Sequence, residues 1–227
     1  LQLPADSIKD GIPVDFVAVP WGAALGDSYY DTMLMDMSVF EAGIKAEEEG
    51  YDAVCIDTVS DSGMYALRSR LNIPVLGPGQ AAFHVACMLG HKFSVITMWD
   101  EWFHLYKKVL TEYKLESRCA SLRSINTRPD LEELLAGKEE VIFEKLEKES
   151  LRAIHEDGAD VIVLGSTTMH QSHGFLQQAL PVPVINPGLM SYKLCEIFLE
   201  TGLTHSKTAF PAPQQPNDQF ILSRVPD

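Results

Sequence analysis

A chain of 227 residues, 46% of them apolar, can bury a sizeable core as one large domain or two lobes around a shared cleft. Its net charge of −14 argues against nucleic acid or an anionic membrane as partner, since both demand a basic face. The apolar runs fall short of a membrane span, no signal peptide is visible, and Cys55, Cys87, Cys119 and Cys195 lack CxxC spacing, which predicts reduced thiols and a cytoplasmic protein.

In chain order, "VDFVAVP" (14–20) predicts a strand. "WGAALGDSYYDTMLMDMSVF" (21–40) begins as a Gly-rich loop and turns helical. An acidic helix then stops at Gly50, where φ > 0 costs nothing. "DAVCI" (52–56) is a short strand, uniformly apolar enough to be covered on both faces. A polar turn, a helix of about three turns, the strand "IPVLGPG" (73–79) and the helix "QAAFHVACMLG" (80–90) follow. "KFSVITM" (92–98) closes this unit as a strand, and "DEWFHLYKKVLTEYKL" (100–115) has helical spacing. "CASLRSINT" (119–127) is strand-like, and residues 129–158 predict one or two helices with a break at Gly137. The proline-rich end, residues 210–227, reads as an extended tail or arm.

The chain contains itself twice. Residues 46–79 align with residues 154–188: Gly50 falls on Gly158, Asp52 on Asp160 and Thr58 on Ser166. After a one-residue insertion, Pro74, Pro78 and Gly79 fall on Pro183, Pro187 and Gly188. Each copy alternates strand and helix, which predicts an α/β fold of two pseudo-symmetric lobes, each a parallel sheet flanked by helices. Residues 1–97 with 208–227 would form the first lobe and residues 98–207 the second. Ligands of open α/β sheets bind beyond the carboxyl ends of strands, so Thr58 and Ser166 would flank one interlobe cleft.

Several residues near these ends could carry chemistry. Asp57 and Asp61 flank Thr58, and His170 and His173 follow Ser166. Histidine titrates near neutrality and suits general acid–base work, and His170 is favoured because it sits nearer the strand end. Asp61 reads equally well as the N-cap of its own helix. Thr167 and Thr168, with Ser60 in the other copy, can donate hydrogen bonds to an anion and at the same time cap a helix. The H-x-x-H of His170 and His173 places two imidazoles on one helix face, but no standard metal motif accompanies them, so neither a metal nor a cofactor is assigned. The cysteines read as packed core.

The stretch "GYDAVCIDTVSDSGMYALRSRLNIPVLGPGQAAFHVACMLGHKFSVIT", with "GADVIVLGSTTMHQSHGFLQQALPVPVINPG", resembles the aspartate/glutamate/hydantoin racemase superfamily, nearest its hydantoin racemase branch, over roughly residues 40–210. The resemblance implies two α/β lobes with the active site between them and a further strand ahead of Leu1. It also implies a pair of cysteines, one at each motif strand end, that remove and return a proton. Those positions here hold Thr58 and Ser166. A thiol titrates near pH 8.5, whereas an aliphatic hydroxyl is far too weak an acid to replace it as a base. Thr58 and Ser166 can instead stabilise an oxyanion, or one can be a nucleophile beside a base.

The expected protein is therefore a hydantoin-racemase-like enzyme acting next to a carboxyl or cyclic imide carbonyl of a small molecule, without two-cysteine chemistry. Thr58, Ser166, His170 and Asp61 would be catalytic. Ser60, Thr167, Thr168, His173 and, by family analogy, Trp99 would bind substrate. Decarboxylase, lyase or hydrolase chemistry and a non-catalytic ligand-binding protein are the alternatives. A homo-oligomer that binds neither nucleic acid nor membrane completes the expectation.

Overall fold

The computed structural model describes residues 7–128 and 140–222, together with Leu3. Helix α1 (Tyr29–Gly43) opens where Ser28 accepts a hydrogen bond from the Asp31 amide, with the Asp31 charge at the positive end of the helix. Then come β1 (Val54–Cys55), α2 (Met64–Arg70), β2 (Val75–Leu76) and α3 (Pro78–Leu89). The middle of the chain supplies β3 (Phe93–Thr97), α4 (Phe103–Tyr113), β4 (Cys119–Ser124) and α5 (Glu140–Asp157). The second copy of the repeat supplies β5 (Val161–Leu164), α6 (Ser172–Ala179), β6 (Val184–Ile185) and α7 (Pro187–Thr201), and α8 (Asp218–Leu222) follows.

The strands form two parallel sheets, a small one of β1 and β2 and a larger one in the order β4-β3-β5-β6. The repeat survives at the level of register. Val54 pairs with Val75 and Cys55 with Leu76, while their counterparts pair as Ile162 with Val184 and Val163 with Ile185. Even the entering bonds correspond, since the Val54 amide donates to Pro74 and the Ile162 amide to Pro183. Gly50 and Gly158 take positive φ before β1 and β5, as helix-stopping glycines should.

Strand alternation builds the core. Val161 and Val163 face Phe83 and Ala86 of α3 and Tyr106 and Val109 of α4. Ile162 and Leu164 face the opposite way, onto Leu146 of α5 and Leu176 of α6. Each such fully buried side chain contributes about 1.5–3 kcal/mol. A third cluster joins Ile56 and Val75 to Met64 and Leu67 of α2. The last helix of each copy crosses to the other half. Helix α3 follows the small sheet but packs on β3 and β5, and α7 follows the larger sheet but packs on β1 and β2.

Three expectations need correction. Residues 14–19 of "VDFVAVP" are not a strand; Phe16, Val17 and Val19 are 48%, 63% and 44% exposed. A strand needs a neighbour for its backbone groups, and among the described residues β1 pairs with β2 alone. "KFSVITM" becomes β3 and pairs with β4 and β5, so sheet membership changes before Phe93 rather than after residue 97. The tail is not wholly extended, because α8 is held by the Asp218 carboxylate accepting from Arg70. Gly137 lies outside the described residues. Among those residues no helix is long and apolar enough to cross a membrane.

Candidate active site

The two turns that follow β1 and β5 interlock. The Thr167 hydroxyl reaches out of the second copy and donates to the Asp57 carbonyl at 3.1 Å. Its repeat counterpart, Val59, packs the other way, into the core with Val163 and Ile185. This exchange brings the ends of β1 and β5 to one junction. Thr58 and Ser166 stand on either side of it, both half-buried. Thr58 Oγ1 accepts from the Ser62 amide at 3.4 Å, and Ser166 Oγ from the Thr168 amide at 3.3 Å. Each turn then adds a hydroxyl pair, Ser60 with Ser62 and Ser166 with Thr168, both at 2.8 Å. The junction is thus rich in short, locked hydroxyls and turn amides, the donor chemistry that holds a carboxylate or enolate oxygen.

The titratable groups divide by use. Asp61 is buried, and its carboxylate accepts from the amides of Gly79 at 2.8 Å and Gln80 at 2.7 Å and from the Tyr113 hydroxyl at 2.8 Å. It therefore caps α3, not its own helix α2, whose N-cap is Gly63. Burial outweighs these three bonds and pushes the Asp61 carboxyl up to about 6. Asp57 stays open to solvent at the end of β1, yet burial of its carboxyl pushes it up to about 6 against the Thr167 hydroxyl. The His170 Nδ1 is buried without a hydrogen bond, and desolvation lowers its pKa; the Thr167 backbone nearby opposes this without reaching bonding geometry. His173 is not gathered with the hydroxyls; its Nε2 bonds the Val184 carbonyl on β6 at 3.1 Å. Trp99 follows β3, the neighbour of β5, and its ring lies 5.9 Å from the Arg128 guanidinium. Among the described residues no group of three His, Cys, Asp or Glu side chains is placed to hold a metal ion.

The sequence matches the Asp/Glu/hydantoin racemase family over residues 2–195. The chain belongs to that family. It is 32% identical to the hydantoin racemase of Pseudomonas sp. (strain NS671), over 84% of this chain and 76% of that protein. It is 35% identical to the hydantoin racemase of Rhizobium meliloti, over 72% of this chain and 66% of that one. The structure resembles the allantoin racemase from Klebsiella pneumoniae with a TM-score of 0.79 at 29% identity, covering 86% of this chain and 79% of that chain. These matches make the chain an enzyme of the racemase superfamily and give its α/β fold known relatives.

Two supports of this junction carry little signal in the sequence. Tyr106 and Tyr113 share one face of α4, seven residues apart. The buried Tyr106 hydroxyl donates to the Gly165 carbonyl at 2.7 Å and bonds Thr97 Oγ1 at 2.8 Å, fixing the end of β5 one residue before Ser166. Tyr113 fixes Asp61 in the other copy. One helix therefore braces both turns, and the only sequence signal was a tyrosine repeated at helical spacing. Glycine makes room for the Asp61 carboxylate: a Cβ at Gly77 would lie 2.3 Å from its Oδ1.

Proposed function

We propose that this chain acts on the carbon next to a carboxyl or cyclic imide carbonyl of a small molecule, through an enolate-like intermediate and without two-cysteine chemistry. The observation that supports this reading is the Thr167–Asp57 bond, which joins the two turns that carry Thr58 and Ser166. Thr58 and Ser166 stand in the turns after β1 and β5, and neither position holds a cysteine.

In this reading the substrate oxygen accepts hydrogen bonds from the Thr58 and Ser166 hydroxyls, with the Ser60 and Thr168 hydroxyls supporting them. Asp57, accessible and held near 6, is mostly ionised at neutral pH and takes the proton from the adjacent carbon. The electron pair moves onto the carbonyl oxygen, where the hydroxyls stabilise it. In racemisation the opposite face receives a proton from solvent water through His170, whose imidazole gives up its N–H proton and takes one back from water at the other nitrogen, while Asp57 releases the abstracted proton to solvent. Trp99, which follows β3 at the neighbouring strand end, forms a wall for the substrate ring. Asp61 acts by positioning, through the α3 cap. The similarity to hydantoin and allantoin racemases supports a hydantoin-like substrate.

The test is proton exchange. Hydantoins, amino acids and malonates are incubated with the protein in deuterated water, and α-proton loss and product are followed by NMR. Exchange on a hydantoin that is lost in Asp57→Asn supports the reading. Full activity in both Thr58→Ala and Ser166→Ala sinks the site assignment. Tight binding with no exchange identifies a ligand-binding protein instead.

A further inference from the structure

Cys55 and Cys195 lie far apart in sequence, one ending β1 and the other on the third turn of α7. The fold brings them together because α7 crosses to pack on the small sheet. Cys55 Sγ donates to Ser191 Oγ at 3.4 Å, and Ser191 sits one helical turn before Cys195 on the same face. Cys195 Sγ in turn lies 4.0 Å from the carbonyl of Val54, the residue before Cys55. The two thiols therefore converge on the same place, where the Ser191–Cys195 face of α7 meets Val54 and Cys55 of β1. They differ in access, since Cys55 is exposed and Cys195 is buried. Cys87 and Cys119 have other partners: the Cys119 thiol donates to the Ser121 carbonyl, and the Cys87 carbonyl accepts from Arg118.

We propose that Cys55 and Cys195 are a reversible dithiol that closes to a disulfide, pinning the helix of the second copy to the sheet of the first. With peroxide as oxidant, the Cys55 sulfur attacks one peroxide oxygen, the O–O bond breaks and the other oxygen leaves as water. The sulfenic acid so formed is attacked by the Cys195 sulfur. Its hydroxyl leaves with the Cys195 proton as a second water, and the S–S bond forms. Two electrons pass from the sulfurs to the peroxide, and a dithiol reductant reverses the step. The division of labour fits the surroundings. The neighbouring Cys195 side chain lowers the Cys55 pKa, Cys55 and burial raise that of Cys195, and burial pushes Cys119 up to about 11 and raises Cys87. The pin has reach into the junction. Asp57 lies two residues beyond Cys55, just past the end of β1, and α7 begins at Pro187–Gly188, where a Cβ on Gly188 would touch the Thr167 methyl at 3.4 Å.

The test treats the full chain with hydrogen peroxide, blocks remaining thiols and maps peptides by mass spectrometry, with thermal melting alongside. A Cys55–Cys195 peptide, with Cys87 and Cys119 still alkylated, is the expected result, together with a higher melting temperature that dithiothreitol reverses. In Cys195→Ser, oxidation is expected to stop at Cys55 as sulfenic and then sulfinic acid. In Cys55→Ser, Cys195 is expected to remain reduced. Cys195→Ala provides a second variant should a buried serine prevent folding. Oxidation of wild-type Cys55 to sulfinic acid without a cross-link, a cross-link to Cys87 or Cys119, or oxidation of those two ahead of Cys55 each overturns the proposal.

Discussion

The two copies share a strand register but finish their helices differently. In the first, α3 is capped from outside by the carboxylate of Asp61, which spans the Gly79 and Gln80 amides. In the second, α7 is capped from within by Asn186, whose side chain accepts from the Leu189 amide at 3.2 Å. The charged cap needs glycine on both sides of Pro78, because Cβ atoms at Gly77 and Gly79 would stand 2.3 Å from Asp61 Oδ1 and from the Val59 carbonyl. The neutral cap leaves Gly188 ordinary room. One backbone plan thus carries a buried carboxylate in one half and an amide in the other. Substitutions that are equivalent by repeat should therefore differ in effect.

The largest expected effect concerns chemistry. Asp57→Asn should lower turnover on a hydantoin by about 10²–10⁴, the range for loss of a positioned base. The change keeps the backbone carbonyl that Thr167 uses, so folding should stay intact. Next come the paired hydroxyls. Thr58→Ala and Ser166→Ala should each cost about 10²–10³ in kcat, as for single oxyanion donors. Steady-state kinetics decides whether the two halves contribute alike. A large loss at Ser166 with none at Thr58 would show that the structural symmetry has ceased to be a chemical one.

The caps give a smaller contrast, read in stability. Asp61→Ala strands two buried amides and the Tyr113 hydroxyl, a loss of about 3 kcal/mol. Asn186→Ala removes one cap bond, a loss of about 1 kcal/mol. Urea unfolding of both variants measures the difference directly. Equal losses would mean that Asp61 contributes no more than an ordinary cap.

Much of this arrangement was legible in the sequence. The matched glycines and prolines marked the repeat, and the apolar runs "DAVCI" and "DVIVL" placed Thr58 and Ser166 at strand ends, because local pattern governs short parallel strands. Sequence alone could not show that α3 and α7 change halves, since crossing is decided by packing between distant segments. For that reason Asp61 read as a cap of the nearest helix, while its true partners lie on the next one. The same crossing hid the Cys55–Cys195 contact, where each thiol alone looked like inert core. "VDFVAVP" failed for the opposite reason: its pattern suits a strand, but pairing is a property of two segments, and pattern describes only one.

A pair of histidines extends the contrast to acid. The Nε2 of His205 accepts a hydrogen bond from the Val75 amide on β2, whereas the Nε2 of His173 bonds the carbonyl of Val184, the counterpart of Val75 on β6. Accepting requires a lone pair, so protonation breaks the His205 bond, while a donor to a carbonyl survives protonation. Desolvation, with the charges of Arg68 and Lys207, lowers His205 to about 4. The unfolded chain takes up this proton first, near its ordinary 6.5, so the bond's stability is complete above that pH and is lost as pH falls toward 4. Partial exposure limits the loss to about 1–3 kcal/mol. Asp57 and Asp61 act in the opposite sense, because the folded state holds their protons from about 6 downward and gains stability toward 4. The net curve of the wild type should therefore be shallow, and His205→Gln should turn it into a gain on acidification. Hydrogen exchange separates the halves residue by residue. Protection of the Val75 amide should fall between pH 6.5 and 4 after correction for the intrinsic rate, while that of the Ile162 amide, bonded to Pro183 at 2.9 Å beside β6, should hold. Parallel loss at both amides would show that acid loosens the whole fold instead of the one edge where a histidine must stay neutral.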